Sequence, residues 1–248
     1  MAKSPEPDTS PLDRLRRAVS AATDLPQIQF AMESYAPSVR IKMLSYSHYP
    51  PVGAVDFGPD IRVYNFGWPA SWVETYWRSD YIHIDPVPRI AARRTLPFWW
   101  SEVEKMATLD AEERAYIDNI RAQRFGPGLA IPVFGPNGRN GYYAAGIGND
   151  VPLLDEREIA ELHAACQLAH LRCCDIILEA LPGQVSLSER ERQILGFVVR
   201  GHSNQMIAAQ LSISSNTVDT YVRRCFDKLD VHDRVTAGLR GLALGLVA

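Results

Sequence analysis

Apolar positions along the chain follow two rhythms. Between residues 11 and 180, stretches with an apolar residue every three or four positions are interleaved with short runs of strict alternation. "SPLDRLRRAVSAATDLPQIQFAMESYA" is of the first kind and predicts helix. It breaks where Asp24 and Leu25 precede Pro26, because the residue before a proline avoids helical dihedrals. "VRIKMLSYS" and "DIRVYNFG" are of the second kind and predict half-buried strands. "GLAIPVFGPNGRNGYYAAGIG" predicts a hairpin, since its apolar runs are joined by glycines and asparagines that accept positive φ. "LDEREIAELHAACQLAHLRCCDIILEAL" predicts one long amphipathic helix, with its acids at the end where the helix dipole favours them. Together these imply an antiparallel sheet between helical layers, an α/β/α sandwich. Residues 48–60, "HYPPVGAVDFGPD", are too proline-rich for regular structure.

The rhythm changes at "PGQVS", where Pro182 and Gly183 stop the long helix. Beyond it the pattern is helical throughout. The expected fold is therefore α+β: a sandwich domain over residues 1–181, a linker over 182–186 and an all-α domain over 187–248. In the last of these, Ser188 and Glu191 form a capping box. Ile194, Leu195, Val198 and Val199 supply an apolar face, and Gly201 closes the helix. Ser203 caps "NQMIAAQL", with Ile207, Ala208 and Leu211 inward, and Ser214 or Ser215 caps "NTVDTYVRRCFDKLDV". Two short helices across a tight turn match the helix-turn-helix, whose second helix offers its first residues to the DNA major groove. On that helix Val218, Val222, Cys225, Phe226 and Leu229 should face the core. Asn216, Asp219, Thr220, Arg223 and Arg224 should face outward. Arg223 suits a bidentate guanine contact, and Thr217, Tyr221, Arg224 and Lys228 suit phosphates. A plain helical bundle with a charged face has the same spacing, so both readings stand at this point.

Composition narrows the class without choosing within it. The 248 residues are 46% hydrophobic and 22% charged, as in ordinary globular proteins. The absence of any run of about 18 apolar residues argues against a membrane span. The polar, proline-bearing start "MAKSPEPDTSPLDRL" does not read as a signal peptide, which points to the cytoplasm. A net charge of −3 discourages a nucleic-acid partner, but from Ser186 onward eight Arg or Lys face six Asp or Glu. The tail is thus mildly basic on an acidic body. Cys166, Cys173, Cys174 and Cys225 read as reduced buried thiols. His163, Cys166, His170 and Cys173 share one helix face, but a single helix rarely closes a tetrahedral metal set, so packing or a dimer face is the better reading. Gly-x-Ser-x-Gly, His-Glu-x-x-His and phosphate-cradling loops are all missing, which argues against an enzyme.

The C-terminal segment resembles the DNA-binding domain of the LuxR family in "LSERERQIL", "GHSNQMIAAQLSIS", "NTVDTYVRRCFDKLDV" and Arg234–Ala237. The family's Glu, Leu and Gly positions fall on Glu191, Leu195 and Gly201. Asp219 stands where the family is often basic, so its base preference would be a cytosine amino group. That domain follows several kinds of sensor. A phosphorylated receiver needs an acidic cluster after its first strand, where this chain has "HYPP".

The stretch "WPASWVETYWRSDYIHIDPVPR" fits another sensor. It resembles the family's autoinducer-binding domain, which takes N-acyl-homoserine lactones, over roughly residues 30–180. Trp72, Tyr76, Asp85 with Pro86, Trp100 and Gly128 stand at that domain's spacing. A buried lactone needs partners for its amide N–H and carbonyls, because each orphaned polar group costs about 1–3 kcal/mol. Asp85 suits the N–H and the Trp72 indole suits the lactone carbonyl. Tyr76 and Trp100 offer flat walls, and Pro86 fixes the chain beyond the aspartate. Trp68 stands where the family usually has a tyrosine that bonds the acyl carbonyl. This implies a reshaped pocket favouring short, branched or aromatic acyl groups. The alternative is that the rings are plain core and Asp85 caps a helix.

The resemblance implies a transcriptional regulator with a small-molecule autoinducer and no cofactor. It would bind a near-palindromic double-stranded DNA operator as a homodimer and act with RNA polymerase. Two further readings are a solo regulator of a different small molecule and an enzyme acting on acyl lactones.

Overall fold

The structure is a computed structural model that describes residues 10–56, 62–181 and 185–247. The predicted stop at Pro182 and Gly183, the frayed start and the end of the 48–60 loop lie outside the described residues. Two compact units are present: Met1–His48, Asp60–Gly135 and Asn140–Ile176 make the first, and Tyr49–Pro59, Pro136–Arg139 and Ile177–Ala248 the second.

The first unit opens with two short helices, α1 (Pro11–Ala21) and α2 (Leu25–Tyr35). The break between them is the predicted one, and the Asp24 carboxylate there accepts from the Gln27 backbone N–H at 2.9 Å. Strands β1 (Met43–Tyr49) and β2 (Arg62–Phe66) follow, then three short helices, α3 (Ala70–Arg78), α4 (Tyr81–Ile84) and α5 (Pro86–Ala91). Next come β3 (Phe98–Trp99), α6 (Val103–Met106) and α7 (Ala111–Ala122), whose capping box joins Asp110 to Glu113. The predicted hairpin is β4 (Gly128–Phe134) and β5 (Asn140–Gly146), and the predicted long helix is α8 (Glu156–Ala180). The sheet order is β2-β1-β5-β4-β3, with antiparallel β1–β2, β3–β4 and β4–β5 pairs.

Because side chains alternate across a strand, the register sorts the sheet into two unlike faces. One face carries Leu44 and Tyr46 from β1, Tyr64 from β2, Leu129, Ile131 and Val133 from β4, and Tyr143 from β5. These large residues form one core with Leu15 and Val19 of α1, Ile28 and Met32 of α2, and Leu162, Ala165, Cys166 and Cys173 of α8. Beside the larger Met43, Pro132 and Tyr142, the other face carries six small residues, Ser45, Ser47, Gly128, Ala130, Ala144 and Gly146. All six are buried. Helix α5 packs on β4, and the Trp100 ring lies over Gly128 and Gly146. One face fills its layer with bulk, and the other leaves its volume to the elements between β2 and β4.

The second unit holds four helices among its described residues: α9 (Glu189–Val199), α10 (Asn204–Leu211), α11 (Ser215–Leu229) and α12 (Arg234–Ala243). The predicted capping box of Ser188 and Glu191 opens α9, and Gly201 takes a φ of +81° after it. Ser203 caps α10, and of the two candidates for α11 it is Ser214 that accepts from the Thr217 N–H, at 3.0 Å. Val218, Val222, Cys225 and Leu229 face inward against Ile194, Leu195 and Ile207, with Phe226 half-buried beside them. Arg234 at the start of α12 donates to the Asn204 Oδ1 at 3.1 Å and to the His202 carbonyl, tying α12 to the turn before α10. Within the same unit Arg139 is fully buried. It forks onto Asp56 at 2.8 and 3.1 Å and donates to the Ala243 carbonyl at 2.6 Å, the pairing a buried guanidinium requires. All four cysteines are buried, and none is in a disulfide.

Candidate functional site

The aromatic stretch of the sequence folds into a ring-lined wall. Helix α3 places Trp72 and Tyr76 one turn apart on its buried side. Trp72 contacts the rings of Tyr76, Tyr81, Tyr116 and Phe125, with centroids 5.3–6.5 Å away. Trp68, just before α3, stacks on Trp100 at 6.0 Å and meets Phe125 edge-on at 5.4 Å. Trp100 in turn occupies the space above Gly128, where an added Cβ would lie 2.2 Å from the indole ring. Gly128 therefore exists for close approach of a ring, and Trp68, Trp72, Tyr76, Trp100 and Gly128 are parts of one wall.

Asp85 sits at the junction of α4 and α5 with its backbone extended. Its Oδ1 accepts from the Val87 N–H at 2.9 Å and so caps α5, which begins on Pro86. Its Oδ2 accepts from the Tyr116 hydroxyl at 3.0 Å and from the Tyr76 hydroxyl at 3.3 Å. The aspartate therefore caps a helix, as the plain-core alternative expected, and its second carboxylate oxygen also points among rings. Burial, followed by the nearby Asp85 charge, pushes the Tyr116 phenol well above its ordinary value, so it remains a donor. Tyr81 of α4 lay in the quoted aromatic stretch without a role assigned to it, whereas Tyr116 and Phe125 escaped the sequence reading, because α7 and the loop after it carry no spacing that singles them out. Their one trace was Tyr116 beside Ile117 on the inward face of "EERAYIDNI".

The Trp68 indole N–H is buried without a hydrogen-bond partner among the described residues. A buried donor of this kind costs about 1–3 kcal/mol when nothing accepts from it. Beside the same wall, a cavity of 320 Å³ opens between Trp100, Phe125, Ile117, Ile120, Gly128 and Leu153. Its lining is mostly apolar, with Ser101 and Arg121 the polar exceptions, so it suits a hydrocarbon group.

On α11, Asn216, Thr217, Thr220, Arg223 and Arg224 are exposed, with Asp219 and Tyr221 half-buried. Arg223 Nε lies 3.0 Å from Asp219 Oδ2, one turn back. The Arg224 guanidinium sits over the Tyr221 ring at 5.4 Å. Lys228 is placed differently from its neighbours: its ammonium donates to buried Glu191 at 2.6 Å and to the Ser186 carbonyl at 3.1 Å. No described helix is long and apolar enough to cross a membrane.

Two family models cover most of the chain. Residues 26–173 match the autoinducer binding domain, and residues 185–239 match the bacterial regulatory proteins of the luxR family. The chain belongs to the LuxR family. LuxR-type relatives include the quorum sensing-dependent transcriptional regulator RpaR of Rhodopseudomonas palustris, 28% identical over 76% of this chain and 76% of that one. The transcriptional activator protein RaiR of Rhizobium etli is 30% identical over 72% of this chain and 74% of its own. Solved structures share the fold. Escherichia coli SdiA superposes with a TM-score of 0.68 at 20% identity, covering 93% of this chain and 97% of that one. SdiA in complex with octanoyl-rac-glycerol gives a TM-score of 0.69, also at 20% identity, covering 98% and 97%. This LuxR-type chain is accordingly an autoinducer-binding transcriptional regulator with a helix-turn-helix, of a family of transcriptional regulators.

Proposed function

We propose that the chain senses an N-acyl-homoserine lactone and binds a near-palindromic operator as a homodimer. The observation that carries this reading is the Asp85 carboxylate, aimed among rings with two tyrosine hydroxyls already on one oxygen. A charged carboxylate is the acceptor that a ligand amide N–H would join there. The Trp72 indole donates to the lactone carbonyl, and the partnerless Trp68 N–H finds its acceptor in the acyl carbonyl. The acyl group continues toward the apolar cavity beyond Trp100 and Phe125. Asn216, Asp219, Thr220 and Arg223 read base edges, while Thr217, Tyr221, Arg224 and Lys228 serve the phosphate side. Two-fold operators call for two copies of the reading helix, hence the homodimer, with RNA polymerase as the downstream partner.

A second reading keeps the pocket and changes the ligand. Trp68 stands where the family usually has a tyrosine, and SdiA has been solved in complex with octanoyl-rac-glycerol. A thermal-shift series on protein made in a lactone-free host separates the two. Its ligands are homoserine lactones with short, long, branched and aryl acyl groups, together with an acyl glycerol. Stabilisation by one lactone class supports the proposal, with short, branched or aryl groups expected to lead. Stabilisation by the glycerol ester alone moves the assignment to the second reading.

A further inference from the structure

On the sheet face away from the ligand wall, a polar cluster is buried inside an otherwise apolar layer. His48 on β1 and His170 and Cys174 on α8 are all buried, and one ligand-capable atom from each lies within 4.8 Å of the other two. His170 and Cys174 are one helical turn apart, with Cys174 Sγ 3.5 Å from His170 Nε2. That separation matches the edge of a tetrahedral zinc site, about 3.5 Å for bonds of ~2.0 Å to nitrogen and ~2.3 Å to sulfur. We infer that His48, His170 and Cys174 form a site for a zinc-class transition-metal ion.

The surroundings are those a metal-binding imidazole uses. His170 Nδ1 lies 2.6 Å from the Tyr46 hydroxyl. With that nitrogen donating to the hydroxyl, the Nε2 lone pair is turned toward Cys174. Holding the second ring nitrogen in this way fixes the tautomer of a metal ligand and makes it a better donor. Tyr46 is itself pinned, stacked on Tyr143 at 4.5 Å, and its hydroxyl reaches His48 Nδ1 at 3.3 Å. Gly141 makes room for the arrangement, because a Cβ there would come within 2.8 Å of His170 Nδ1 and 2.9 Å of the Tyr46 ring. Two imidazoles and a thiolate suit a borderline-soft ion and disfavour magnesium or calcium. Binding releases the thiol proton to solvent and leaves a sulfur–metal bond, so occupancy rises with pH. Full burial means that the ion enters as the unit folds. The set differs from the one-face helical pattern of His163, Cys166, His170 and Cys173: His163 bonds the Pro132 carbonyl at 3.1 Å, and the third ligand comes from a strand.

The test is refolding of the full chain under reducing conditions with cobalt(II) as the probe, followed by removal of free metal. The expected result is about one ion per chain with a sulfur-to-cobalt charge-transfer band. Cys174→Ser should lose that band, and His48→Gln should weaken retention at least tenfold. Near-ultraviolet circular dichroism checks that each variant is folded. Unfolding of the wild-type chain with and without zinc adds a readout independent of the variants. No charge-transfer band in the folded wild-type chain would overturn the site, as would a band that survives Cys174→Ser.

Discussion

At the scale of single residues, the Asp85 carboxylate links the start of α5 to the ring wall, and in the proposed function it also receives the ligand. Replacing it with asparagine keeps an oxygen to cap Val87 but removes the charged acceptor. Asp85→Asn should lower ligand affinity by about 1–3 kcal/mol, read by competition binding, with the fold retained. An unchanged affinity would mean that the carboxylate serves only α5 and the two tyrosines. Asp219 poses a parallel question on the DNA side. Its carboxylate holds Arg223 through Nε, which leaves the terminal guanidinium nitrogens able to address a base. Asp219→Ala should therefore broaden base preference at one operator position more than it lowers total affinity, as measured by operator selection at fixed salt. A uniform loss across all sequences would count against this positioning role.

At the scale of elements, close packing makes one glycine decisive. Trp100 and β4 meet at Gly128, so Gly128→Ala should displace the indole and abolish ligand-dependent stabilisation in a thermal-shift assay, since the clash is with ring atoms at 2.2–2.4 Å. Helix α9 carries a different constraint. Glu191 is buried at its start, and although burial alone would raise its carboxyl, the bonds from Lys228 and Ser188 hold it below the usual glutamate range. A depressed folded-state value adds stability above the unfolded value of about 4.3 and loses it as pH falls through the folded one. Glu191→Gln should cost about 2 kcal/mol near neutral pH and progressively less as the medium is acidified below the unfolded glutamate value, as read by urea unfolding across that range. The elements with a clear period were all legible in sequence: both opening helices, β1, β2, the hairpin, α8 and the caps of α9, α10 and α11. The elements between β2 and β4 were not. Helices α4, α5 and α6 and strand β3 are too short to show a period along the chain. The site was half legible for the same reason. Residues in the fixed pattern from Trp72 to Gly128 could be found along the chain, whereas Tyr116 and Phe125 arrive only through folding.

At the scale of the molecule, a ligand that fills the sensor unit adds to the free energy of the folded state by mass action. At a hundredfold excess over Kd the gain is about 2.7 kcal/mol, which for a chain of this size raises the unfolding midpoint by roughly 5–10 °C. A cognate ligand that leaves the midpoint unmoved would argue against binding within the ring wall. The two-faced sheet has a consequence for how such a receptor diverges. Along β4, residues 129, 131 and 133 hold the helical layer in place, while 128, 130 and 132 look toward the ligand side. Odd and even positions of one strand thus answer to separate demands. Selectivity can drift through substitutions of one parity while the other, left alone, preserves the scaffold. Descendants of one ancestor should then differ most at positions 130 and 132, with Gly128 held by the Trp100 ring, and a library confined to those two sites is the economical place to seek altered signal preference.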